Sequence, residues 1–171
     1  MASLIEELIT VLTEETKIYE ELVPIAQEKT RIIIENDLQM LQSITEKEQA
    51  LVDTVTGLEH KRTGVITNIG YIVGKPAAQI RVKDIIQFLE KQPKEQKELS
   101  VLHDRLKHSI QTLMEINNRN RSLIQQSLEM IEFNMNFIQS TRMSPGNNNY
   151  TKGAMNQDGL NSQTRMFDAK Q

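Results

Sequence analysis

Three histidines and the carboxylates near them are the first place to look for chemistry. Helical proteins can hold di-iron centres on Glu-x-x-His pairs, one on each of two helices. The residues three before His60, His103 and His108 are Gly57, Ser100 and Arg105, so that ligand set is absent. A phosphate loop requires clustered glycines followed by Lys and Ser or Thr. Here Gly57, Gly64, Gly70 and Gly74 are spread along one stretch without that pair. No serine sits in a Gly-x-Ser-x-Gly turn, and the absence of cysteine removes thiolate metal sites, thiol nucleophiles and disulfides. The acid pairs Glu6-Glu7, Glu14-Glu15 and Glu20-Glu21 read as solvating charge on the outer face of a helix. His103 and His108, with Arg105 and Lys107, read as a solvated basic patch. The expectation is a chain with no catalytic residue, no metal site and no cofactor, hence not an enzyme.

Binding is better served. From Leu99 onward, Leu102, Leu106, Ile110, Leu113, Ile124, Leu128, Ile131, Met135 and Ile138 recur at spacings of three, four or seven. At about 100° per residue they form one seam on a helix. After Asn120 a second apolar set appears off that seam: Leu123, Met130, Phe133 and Phe137, divided from it by Ser127 and Asn134. Two destinations are open for this second stripe. It can pack inside the bundle against the first helix, or it can face a partner. Three features favour the partner. The stripe is confined to the last third of the helix, and Met130 and Met135 make an adaptable surface. Asn117, Asn118 and Asn120 interrupt the seam just before it and can bond a partner's backbone. Leu123, Met130, Phe133, Phe137 and Asn120 are therefore the expected client-binding residues.

The elements that carry these residues are helical throughout. A first helix is predicted from about Ser3 to Glu35 through Leu4, Leu8, Val11, Leu12, Leu22, Ile32 and Ile33, with a kink or short break near Leu22 because Pro24 lacks a donor. Asn36 is predicted to cap a second helix, with Gln39 three residues on. That helix runs through Leu38, Ile44, Val55, Val65 and Ile69, and Gly70, Gly74 and Pro76 end it. Residues 75–82 connect to a short helix over Val82–Leu89, and Pro93 opens a helix from Lys94 to about Thr141. No β-branched alternation or hairpin signal appears. The fold class expected is all-α: an elongated antiparallel bundle of three long helices and one short helix over residues 1–142. Beyond it, 143–171 has the Ser-Pro-Gly-Asn composition of a disordered tail. Deleting that tail should leave the melting temperature nearly unchanged; a drop of more than a few degrees in a thermal scan would show that it packs on the bundle.

The 171 residues carry 20 basic and 23 acidic side chains, a net charge of −3, well interspersed. That balance argues against a nucleic-acid or anionic-membrane partner. No apolar run approaches the length of a membrane span, and acid stands where a signal peptide carries base. A soluble, cytosolic protein is expected.

Several blocks then fall in a familiar order: Leu4-Ile-Glu-Glu-Leu8, Tyr19-Glu-Glu-Leu22, Asn36-Asp-Leu-Gln-Met-Leu41, Ile44-Thr-Glu-Lys-Glu-Gln-Ala-Leu51, Gln92-Pro93 and Asn117-Asn-Arg-Asn-Arg-Ser-Leu-Ile-Gln-Gln-Ser-Leu128. In these the chain resembles the FlgN family of flagellar type III export chaperones, from residue 3 into the tail. The resemblance implies a cytosolic chaperone that binds C-terminal helical segments of the hook-filament junction (hook-associated) proteins. It would prevent their premature assembly and deliver them to the cytoplasmic domain of the flagellar export gate, without hydrolysing ATP. It also implies a client site on the last helix, over Leu123 to Phe137. The competing expectation is a coiled-coil structural adaptor that self-associates through the same stripe.

Overall fold

The computed structural model describes residues 2–76 and 80–142; the tail expected over 143–171 lies outside the described residues. Four helices follow in order: α1 (Ala2–Glu35), α2 (Leu38–Val73), α3 (Val82–Phe88) and α4 (Pro93–Arg142), with no strand among the described residues. Contacts divide the chain into two units, Met1–Phe133 and Asn134–Gln171, with the boundary inside α4. The described part of the second unit, residues 134–142, is helical.

Within the first unit the side-chain pairs fix the directions of the helices. Glu15 meets Arg62, Tyr19 meets Glu59 and Lys29 meets Glu48, so α1 and α2 are antiparallel. Glu20 meets Arg105 and Thr30 meets Asn120, so α4 runs parallel to α1. The core joins all four helices: Ile5, Leu8 and Leu12 of α1, Val65 and Ile69 of α2, Ile85 of α3, and Leu99, Leu102 and Leu106 of α4. Burial of these apolar faces, rather than helix propensity, is what holds helices of this length together.

Local signals set the ends. Asn36 adopts the left-handed conformation (φ 57°), which Asn tolerates better than other side chains. The cap of α2 is therefore Asp37, not Asn36: its carboxylate accepts from Met40 N at 2.9 Å. At the far end Gly74 takes φ 70° and its N–H donates to the Gly70 carbonyl, joined by Lys75 N at 3.0 Å. Pro93 is the first residue of α4, where its missing N–H is not needed.

Two expectations are narrowed or overturned. Of the kink or short break expected near Leu22, the break is absent: α1 is helical from Ala2 to Glu35 with Pro24 inside it. The loss of one backbone bond is local, and Leu22 and Ala26 on either side of it are buried. The second concerns Glu15, read above as outer-face charge. Glu14 is exposed, but Glu15 is fully buried and bonded to Arg62 at 2.6 Å, while its Oε1 has no protein partner among the described residues.

Burial pushes the Glu15 carboxyl up from 4.5 to about 6, against the opposing pull of the Arg62 guanidinium and with a smaller push from Glu59. The folded state therefore holds the proton more tightly than the unfolded chain does. Protonation of Glu15 adds stability as pH falls through about 6, and the gain is complete below the unfolded value of 4.5. At 1.36 kcal/mol per unit this is on the order of 2 kcal/mol. A Glu15→Gln variant lacks that gain. Its stability relative to the parent, from denaturant melts, should fall by about that amount between pH 7 and pH 4.5. A constant difference across that range would contradict it.

Candidate functional site

Along α4, burial changes partway. Leu99, Leu102, Leu106 and Ile116 are buried, and Leu123 and Ile124 are half-buried. Beyond them Leu128 is 61% exposed, Met130 61%, Ile131 50% and Phe133 66%. The division between a structural seam and a separate binding stripe thus ends after Ile124: Leu128 and Ile131, expected to pack, are as open as Met130 and Phe133. The reason lies in α1, which ends at Glu35 and turns at Asn36, so its cover stops there.

The turn adds apolar surface of its own. Ile34, Leu38 and Met40 are exposed. A small cavity of about 100 Å³ lies between Ile32, Leu38 and Leu41 on one side and Ile124, Leu128 and Ile131 on the other. An apolar side chain entering this hollow would meet carbon on both walls. Sequence reasoning missed Ile34 and Leu38. A signal existed for Ile34, because three consecutive isoleucines, Ile32-Ile33-Ile34, cannot all point at one core.

In the second unit, Met135, Phe137 and Ile138 of α4 are each at least half exposed. Phe137 was expected on the binding stripe; Met135 and Ile138 were expected on the seam.

Asn120 does not join the exposed set. It is 3% exposed and its Nδ2 donates to the Ala26 carbonyl at 2.9 Å. Its Oδ1 lies 2.6 Å from the Thr30 hydroxyl, which also lies 3.1 Å from that same carbonyl. Both ends of the amide are occupied within the fold, so Asn120 is a clasp between α1 and α4 rather than a contact for a client. A buried amide is stable only with such partners. Asn117 and Asn118, by contrast, are exposed.

Magnitudes limit what the face can do alone. Burying Leu128, Met130, Ile131 and Phe133 is worth roughly 6–12 kcal/mol at about 1.5–3 each. Association costs about 4–15 kcal/mol. Contacts at the turn as well as α4 are needed for tight binding. The chemistry these side chains offer is adhesion to an apolar helix face. Among the described residues no group of three or more His, Cys, Asp or Glu side chains could hold a metal ion, and no helix is long and apolar enough to cross a membrane.

Among the described residues the fold is a helical bundle whose last helix leaves large apolar side chains exposed beyond Ile124. The family model described as FlgN protein matches residues 1–158. The chain belongs to the FlgN family, the flagellar export chaperones for hook-associated proteins. No curated protein and no solved structure matches it.

Proposed function

We propose that this chain binds C-terminal helical segments of hook-associated proteins in the cytoplasm, on the apolar side chains that α4 leaves exposed beyond Ile124: Leu128 and Ile131, which line one hollow with Leu38, and Met130 and Phe133 on another side of the helix. Leu123, on the same side of α4 as Met130, is a further proposed client contact, and Phe137 of the second unit is proposed as one in its own right. Occupying those segments keeps the clients from assembling prematurely, and the loaded chaperone presents them to the flagellar export gate. The role requires no bond-making: the protein acts as a binding partner, without ATP hydrolysis, metal or cofactor, and neither inserts into the membrane nor binds nucleic acid. The observation that carries the reading is the run of large apolar side chains left uncovered after Ile124 on a helix whose seam is buried at Leu99, Leu102, Leu106 and Ile116. Large apolar side chains exposed in this number on one stretch of helix mark an interaction site.

The test is a pull-down of the encoding organism's hook-associated proteins, intact and lacking their C-terminal helical segments. Capture of the intact forms alone supports the reading, and equal capture of both overturns it. A stable homo-oligomer that binds neither form would instead favour the self-associating adaptor. Millimolar ATP or micromolar zinc should leave the melting temperature unchanged, because a specific ligand stabilises the native state by mass action. A saturable rise with either would end the non-enzyme reading.

A further inference from the structure

A second cleft, well away from the client face, is lined by cations. Arg81 and Lys83 of the α3 entry face His103 and Lys107 of α4 across a cavity of about 380 Å³. Its floor is apolar, built from Leu12, Val82, Leu106 and Ile110. Arg62 also reaches its wall but is engaged with Glu15, and His103 Nδ1 lies 3.1 Å from Asp104 Oδ1. Arg81, Lys83 and Lys107 make no ion pair among the described residues, and no acidic residue lines the cleft.

In a chain with net charge −3, three cations over one apolar hollow, none in a side-chain ion pair among the described residues and with Asp84 bonded nearby, to Arg81 N at 2.8 Å, are not an average surface. Like charges held near one another repel, and an anion between them relieves that repulsion. Arginine offers a planar fork to carboxylate, and lysine stems can lie along carbon while the ammonium groups stay at the rim. The floor selects further. A small inorganic anion would leave Val82, Leu106 and Ile110 in water, whereas a peptide that alternates acid and aliphatic side chains satisfies rim and floor together. We infer that the cleft between α3 and α4, rimmed by Arg81, Lys83 and Lys107, docks an acidic, leucine-bearing segment of a protein partner.

This inference does not rest on the client reading, since it uses none of the residues of that face. The test is an NMR titration of the full-length, nitrogen-15-labelled protein with an acetylated 12-residue peptide repeating Glu-Leu-Glu, and with its Lys-Leu-Lys counterpart. The acidic peptide should shift amides around 81–83 and 103–111 and leave those of Leu128 and Phe133 in place. Its affinity should fall at least tenfold in Lys83→Glu/Lys107→Glu and severalfold in Lys83→Gln/Lys107→Gln. Both lysines are exposed, so circular dichroism should show the variants folded. Raising salt from about 50 to 300 mM should weaken binding severalfold as screening shortens. Unchanged affinity in the glutamate variant, equal binding of the lysine peptide, no binding of either peptide, or complete displacement by inorganic phosphate would each overturn the proposal.

Discussion

Replacing Phe133 and Phe137 together with glutamate is expected to leave the protein folded and to lower client binding at least tenfold. Both rings are at least 60% exposed, so their removal opens no cavity. Exposed substitutions usually change stability by no more than about 0.5 kcal/mol each, and glutamate is as good a helix former as phenylalanine or better. The bound state is different, because each new carboxylate must lose water against an apolar client helix. A tenfold loss is only about 1.4 kcal/mol, well below what two such burials cost. The same outcome is expected for Leu128→Glu/Ile131→Glu, although periodicity alone would have assigned those residues to the core. The fold control is Leu99→Ala. Leu99 is wholly buried, and truncation there should cost about 2–5 kcal/mol. Thermal melts by circular dichroism and a client pull-down read both quantities. If the Phe pair melts as low as Leu99→Ala, the stripe is core. If it stays folded and binds clients fully, the site lies elsewhere.

Removing Arg62 is expected to cost more stability than any exposed substitution. Arg62→Met takes away the hydrogen-bonded counter-charge of a carboxylate with no solvent contact. Breaking a buried pair from one side typically costs about 3–5 kcal/mol, because the remaining charge is left without compensation. For a domain of this size the melting temperature should drop by roughly 10 °C or more. Glu15→Leu combined with Arg62→Met should recover most of that loss, since an apolar pair of similar volume is often as stable as the ion pair it replaces. A melting temperature for Arg62→Met within about two degrees of the parent would show that Glu15 is compensated by something other than Arg62.

Much of the helical architecture was legible in advance because its signals are local. Gly74 and Pro93 terminate and open helices through their own backbone geometry, and the observed ends of α3 and α4 fall within a residue of those expected. Asn36 and Asp37 were less separable, since either side chain can cap a helix; the turn resolved it by placing Asn36 in the left-handed region. Pro24 looked disruptive because sequence shows the missing donor but not the packing on either side of it.

The site divides along the same line. Leu123, Met130, Phe133 and Phe137 were legible in the sequence as an apolar stripe off the seam; of these Met130, Phe133 and Phe137 are exposed and Leu123 is half-buried. Asn120 could not be placed correctly: an amide beside an apolar run suits a partner's backbone and a neighbouring helix equally well, and only the approach of Ala26 and Thr30 assigned it inward. Glu14 and Glu15 are adjacent carboxylates of nearly equal chemistry, yet one is solvated and the other is sealed against Arg62. Hydrophobic spacing, with Gly74, Pro93 and the Asn36-Asp37 pair as end signals, thus determined that the described residues are helical, roughly where the helices begin and end, and which sides of α4 are apolar. It did not determine how far along α4 those sides are covered. Periodicity records the direction in which a side chain points, whereas burial requires another element at that height. In the first unit that element is α1, whose reversal at Asn36 leaves Leu128 and Ile131 open.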